Sequence, residues 1–335
     1  VNPLARRSHS SDRPGPSGLA GRSGRPGRSG SVLVRQRYAC AYEEGPRPIP
    51  PTPPALRLAR PVLAPATVRA CAITQEPVLA LTYDDGPDPA TTIPVLDALA
   101  RRHVRATFFV LAEQVLAHPG VLRRIVTDGH EVALHGFDHT RLTTLPFAQA
   151  IGSIRRARDI VEEVAQHRVR LFRPAYGAQT PQLAVATRAL GLDVVLWSAW
   201  ARDWTDEPTQ VLLDRAIGAA HPGGIMLLHD ASVGVSGYRG RGAVGEPGAG
   251  ALPGAGALPG AGVEPGAGGE PGAGGATGVG GEPGASRVLP TFDRGALTGG
   301  LIDELRSRGY RFPTVSGLAQ LAPVGRMVWF ERAPA

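Results

Sequence analysis

Asp84 and Asp85 stand side by side at the end of an apolar run, Val78–Tyr83, and Gly86-Pro87 turns the chain directly after them. A second apolar run, Glu131–Leu134, leads into His135-Gly-Phe-Asp-His139. Carboxylate and imidazole groups delivered from strand ends suit a divalent metal ion. Two His with one carboxylate leave coordination positions open for water, the pattern of a catalytic rather than a structural site. The same triad suits non-haem iron oxygenases, so the ligand set alone leaves the reaction open. Neighbouring residues on a strand point to opposite sides. One of Asp84 and Asp85 is therefore expected to ligate while the other stands across the pocket, free to accept a proton. A carboxylate left beside the metal is what a hydrolase needs.

The elements that position these residues follow from the surrounding pattern. Strand-type runs occur at Val78–Tyr83, Ala106–Leu111, Val132–His135, Leu171–Arg173, Val194–Ser198, Ile225–His229 and Arg311–Val315. Helical patterns lie between them near 90–103, 119–128, 146–167, 181–190, 208–220 and 296–308. This alternation predicts a parallel sheet with crossover helices, and seven strands at this spacing fit a barrel-like arrangement. In such folds the C-terminal strand ends share one face. Asp84, Asp85, His135, Arg173, Asp203 and His229 all fall at or just after such ends. Their common placement points to one pocket.

Five segments, TYDDGPD at 82–88, the His135-x3-His139 pair, FRPAYG at 172–177, ARDW at 201–204 and MLLHD at 226–230, resemble in order the motifs of the NodB-like polysaccharide deacetylases, carbohydrate esterase family 4. The resemblance covers about Leu79–Leu318, a late repeat excepted. It implies a distorted seven-stranded β/α barrel. Residue by residue, it implies Asp84 as general base, with Arg173 holding it ionised, and Asp85, His135 and His139 as ligands of a divalent metal, Zn2+ foremost, Co2+ or another divalent ion as alternatives. It further implies the backbone N–H of Tyr176 as oxyanion donor and His229, paired with Asp203, as general acid. Trp204 with Leu227 or Leu228 would wall an acetyl pocket. The implied reaction is removal of N-acetyl groups from a glycan of the chitin or peptidoglycan type. An acetylxylan esterase, a hydrolase of small cyclic amides and an inactive glycan-binding module are the alternatives. The resemblance also places the protein at the cell envelope or outside the cell, and a monomer is expected. Three positions depart from the family: Gly136 replaces a Ser or Thr, Ala175 a Pro, and Trp200 an acid, which puts the groove and its preference in question.

Of the 335 residues, 36 are Lys or Arg and 29 Asp or Glu, and every basic residue is Arg. Residues 1–70 carry 12 Arg against Asp12, Glu43 and Glu44, while the remaining 24 Arg face 26 acids. The basic charge thus belongs to the leading segment, and the rest shows no nucleic-acid footprint. Residues 1–72, rich in Arg, Pro and Gly, are expected to be a disordered tail. The deacetylase-like domain is expected over 73–322, interrupted by a Gly/Pro/Ala repeat at 234–286 and followed by a C-terminal tail, 323–335. The repeat is not collagen, because Ala251, Ala257 and Val263 fall where Gly would be required. Cys40 and Cys71 make no disulfide framework. No run reaches transmembrane length, and no signal peptide is legible.

Overall fold

A computed structural model describes residues 31–33, 66–205, 207–232 and 292–328. The chain enters through β1 (Ser31–Leu33) and β2 (Thr67–Ala72), which flank β10 (Val324–Val328) in a small sheet of order β1-β10-β2. The principal sheet contains β3 (Leu79–Asp84), β4 (Thr107–Leu111), β5 (Glu131–Gly136), β6 (Leu171–Phe172), β7 (Asp193–Val194), β8 (Ala199–Trp200) and β9 (Gly224–His229). Its order is β7-β6-β5-β4-β3-β9-β8, and every neighbouring pair is parallel.

The two edge strands are consecutive in the chain, joined only by residues 195–198. So short a link reaches at most about 18 Å. The sheet must therefore curl until its edges nearly meet, giving a distorted, incompletely closed barrel. Of the stretch Val194–Ser198, expected as one strand, all but Val194 form this link. The chain leaves β7 at Val194 and starts β8 at Ala199 on the opposite edge. Arg311–Val315, expected as the seventh strand, makes only a single bridge, Arg311 to Val78. Its end is diverted because the Thr314 side chain accepts the Gly317 N–H and starts a helix.

That helix is α8 (Val315–Leu321); the others are α1 (Thr92–Arg101), α2 (Ala112–Ala117), α3 (Pro119–Thr127), α4 (Phe147–Ala165), α5 (Pro181–Ala189), α6 (Thr209–Ala219) and α7 (Arg294–Ser307). In α4 the buried positions Ala150, Ile151, Ile154, Ala157 and Val161 recur at three- and four-residue spacing. They form the apolar stripe a helix needs to lie on a sheet. Helix α5 opens on Thr180, whose side chain accepts the Leu183 N–H at 3.2 Å, with Pro181 next. Pro costs nothing there, since its missing N–H would have been unpaired.

Strand β3 shows how the barrel is filled. All six residues are buried. Tyr83 sends its hydroxyl outward to Thr298 of α7, 3.0 Å away, while Thr82 and Asp84 face inward to Arg173. Each apolar side chain fully buried in this way contributes about 1.5–3 kcal/mol.

The expected boundaries shift at both ends. Thr67–Ala72, read as tail, is a buried strand: Leu196 donates to the Arg69 carbonyl and Ala72 to that of Gly223, at 2.8 and 2.7 Å. Val324–Val328, also read as tail, pairs antiparallel with it. Arg69, Arg188 and Arg326 converge on Asp193 and fasten this small sheet to β7. Most of residues 1–72, Cys40 and the repeat at 234–286 lie outside the described residues. Cys71 is a buried free thiol, which burial pushes up to about 12. Among the described residues no helix is long and apolar enough to cross a membrane.

Candidate active site

The C-terminal ends of β3, β5 and the segments after β6, β8 and β9 bring the expected residues into one pocket. Asp85 Oδ1 lies 3.4 Å from His135 Nε2 and 3.5 Å from His139 Nε2. One donor atom from each of the three residues falls within 4.8 Å of the others. His135 Nδ1 is held 2.8 Å from the Arg173 carbonyl. A carbonyl can only accept, so Nδ1 carries a proton and Nε2 is the nitrogen turned toward Asp85. Burial takes His139 down to about 4, so its ring is neutral at neutral pH. Burial alone would raise the Asp85 carboxyl, but the neighbouring His135 and the charged His229 outweigh it and hold it at about 2. Its Oδ1 is buried with no hydrogen-bond partner. An anionic oxygen left thus between two imidazole nitrogens fits a divalent cation such as zinc.

Asp84 and Asp85 do not diverge as strand alternation predicted. Asp85 has φ +81°, a left-handed conformation that turns its carboxylate back toward the pocket Asp84 already faces. Asp84 Oδ2 is 3.9 Å from His135 Nε2. Its other oxygen is taken by Arg173 Nη1 at 2.6 Å. The Arg173 side chain is fully buried, bonds Thr82 Oγ1 at 2.9 Å and the Val195 carbonyl at 3.2 Å, and stacks 4.0 Å from the Phe109 ring centre.

On the neighbouring strand His229 is in register with Asp84, so the two sit side by side at the same height. Both oxygens of Asp203 serve His229: Oδ2 accepts its backbone N–H at 2.7 Å and Oδ1 faces Nδ1 at 2.8 Å. Burial pushes the His229 imidazole down, but Asp203, with Asp85 and Asp84 behind it, carries it up to about 9. At neutral pH it is an imidazolium. Trp204 stands edge-on to it at 5.7 Å. Tyr176 has φ +60° and lays its half-exposed ring 4.4 Å from that of His139.

Leu228 is misplaced in the sequence reading. It is in register with Tyr83 and so faces the helix layer, whereas Leu227, in register with Thr82, shares the face of His229. The departures at Gly136 and Ala175 have structural answers. Gly136 has φ +142°, and a Cβ there would sit 3.0 Å from the Asp138 carbonyl oxygen. Glycine suits that backbone, and the loop is fixed instead by Asp138 accepting the Thr140 N–H at 3.1 Å. The Ala175 turn remains tight, with Gly177 and Ala178 bonded back to Pro174 and Ala175 at 2.9 and 3.0 Å.

Two supporting residues escaped sequence reasoning. Asp230 accepts from Gly86 N–H at 3.2 Å and Thr92 Oγ1 at 2.5 Å, tying the end of β9 to the turn after Asp85. Burial pushes its carboxyl up to about 7. The paired glycine and aspartate of the first and fifth motifs were a legible signal. Arg294, which reaches the His229 carbonyl, had none, since residues 233–291 separate it from its partners.

The sequence profile of the family described as polysaccharide deacetylase matches residues 72–195. The chain is 39% identical over 153 residues to the peptidoglycan-N-acetylmuramic acid deacetylase PdaC of Bacillus subtilis, covering 46% of this chain and 32% of that one. It is 39% identical over 151 residues to a chitooligosaccharide deacetylase of Rhizobium leguminosarum bv. trifolii, covering 45% of this chain and 70% of that one. The solved structure of Bacillus subtilis PdaC superposes with a TM-score of 0.51 at 27% identity, over 73% of this chain and 91% of that one. The chain spans about a third of the length of the first curated relatives it matches.

Proposed function

The chain belongs to the polysaccharide deacetylase family, and from that premise we propose that it is a metal-dependent hydrolase removing N-acetyl groups from a chitin- or peptidoglycan-like glycan. One observation carries the reading: a buried Asp85–His135–His139 trio is flanked on one side by Asp84 with Arg173 and on the other by His229 with Asp203. The relatives named above, which act on peptidoglycan and chitooligosaccharides, support the substrate class. The same names support a site of action at the cell envelope or outside the cell. The working unit is the described stretch from 66 to 328, with residues 233–291 as an insertion. Each group in the pocket comes from one chain, so a monomer suffices.

Asp85, His135 and His139 hold the ion. When bound there, a divalent cation supplies Lewis-acid polarisation of the acetyl carbonyl and acidifies a water molecule. Asp84, oriented by Arg173, accepts the proton of the attacking water. The Tyr176 N–H donates to the oxygen that gains charge as the carbonyl becomes tetrahedral. His229 then passes its Nε2 proton to the amine as the C–N bond breaks, and Asp203 holds the ring through Nδ1. Trp204 and Leu227 line the side nearest His229 and favour the small acetyl group.

Acetate release from N-acetylglucosamine oligomers, peptidoglycan and acetylxylan, with and without chelator, tests this. Chelator-sensitive release from either N-acetylated glycan is expected, lost by about 10²–10⁴-fold in Asp84→Asn while zinc binding persists. Release from acetylxylan alone would overturn the N-deacetylase reading.

A further inference from the structure

Strand β9 stops at His229, so the His229 carbonyl lies where the ladder no longer supplies a partner. Arg294, the first residue of α7, takes over. Its Nη1 donates to that carbonyl at 2.8 Å and its Nη2 to Ser232 Oγ at 2.6 Å. The same Nη1 lies 3.7 Å from Asp203 Oδ2, and the guanidinium stacks 4.8 Å from the Phe292 ring centre. The side chain is 5% exposed. Its base is rigid: a Cβ on the next residue, Gly295, would lie 2.8 Å from the Pro94 carbonyl oxygen, so the start of α7 is pressed against α1.

Both Asp203 oxygens are committed to His229, and the carboxylate's remaining charge faces this guanidinium. A rotation of the His229–Asp230 peptide would swing the imidazole out of line; Arg294 holds its carbonyl end, and the Asp230 N–H, donating to the Asp84 carbonyl at 3.1 Å, holds the other. We propose that Arg294 is a positioning residue for the His229–Asp203 pair, fastening the end of β9 and the Asp203 segment in the one arrangement from which His229 reaches the departing amine. The planar fork matters as much as the charge, because its contacts leave in fixed directions.

This inference rests on His229 being the general acid, and a double-mutant cycle separates the two claims. Arg294→Gln is expected to lower kcat for acetate release from N-acetylglucosamine oligomers by about 10–100-fold, the scale of a misplaced catalytic group, with KM nearly unchanged. Arg294→Lys is expected to restore part of the loss, and it enters the same cycle if the Gln variant does not fold. In a His229→Ala background the Arg294 substitution is expected to cost nothing further. Hydrolysis of 4-nitrophenyl acetate, whose phenolate leaves without a proton, is expected to survive Arg294→Gln nearly intact. Equal losses in both backgrounds, or parallel losses on both substrates, would overturn the positioning role and leave the His229 assignment standing. Full turnover in His229→Ala would overturn the acid assignment itself.

Discussion

Replacing Arg173 with Met keeps the volume of a long side chain and removes its charge from the middle of the barrel. The Asp84 carboxylate, 2% exposed, would lose its 2.6 Å partner. The Val195 carbonyl would lose its guanidinium partner as well, and Thr82 Oγ1 would keep only the Met226 carbonyl. Removing one member of a buried ion pair costs about 3–5 kcal/mol, since the other charge stays stranded. In a domain of this size each kcal/mol shifts Tm by about 2–4 °C, so a fall of about 6–20 °C is expected. Scanning calorimetry or urea unfolding of the metal-free protein at neutral pH reads it directly, without the added stability of a bound ion. Adding Asp84→Asn should recover most of the loss, because the stranded charge is gone. A single variant within 1 kcal/mol of the parent, or a double variant as unstable as the two losses combined, would refute the buried-pair reasoning.

Turnover should persist above the ordinary histidine range and fall only at higher pH, because Asp203 favours the protonated form of His229 and so raises its pKa; an alkaline limb near 6.5 in kcat/KM would contradict this. The same raised value stabilises the folded metal-free chain. That contribution is complete below about 6.5 and fades as pH climbs through about 9, which unfolding at pH 6 and pH 10 would reveal. Gly86→Ala would bring a Cβ within 1.9 Å of Asp230 Oδ2; displacing that bonded carboxyl should cost about 1–3 kcal/mol, measured by the shift in urea midpoint. His139→Ala removes one of three ligand atoms and should weaken zinc binding by more than the roughly 10–100-fold typical of lost supporting contacts. Calorimetric titration showing an unchanged affinity would discard the site.

Much of the architecture was legible because its strands are apolar runs and its helices carry long periodic stripes, as in α4. What failed was local. Val194–Ser198 looks like one buried strand, since apolar residues also suit a buried link, and periodicity cannot show that β7 and β8 sit on opposite edges. Thr67–Ala72 was hidden by the Ala- and Arg-rich composition it shares with the preceding segment. Within the pocket, the motifs indicated which residues meet but not how. The left-handed turn at Asp85 defeats the alternation rule that would have parted the two carboxylates. Leu227 and Leu228 stood as alternatives, although counting two residues back from His229 keeps one strand face and selects Leu227. Arg294 belongs to no local pattern, because its partners are distant in the chain.

The clasp between Arg294 and Ser232 has a genetic consequence. The segment between Ser232 and Phe292 enters and leaves the fold through two points already held together by side chains outside it. For an unconstrained connection, closing twice the length costs only about 0.6 kcal/mol more. Units of the Gly/Pro/Ala repeat can therefore be gained or lost between these points at little cost in closure, because the ends next to the reacting groups are held by Arg294.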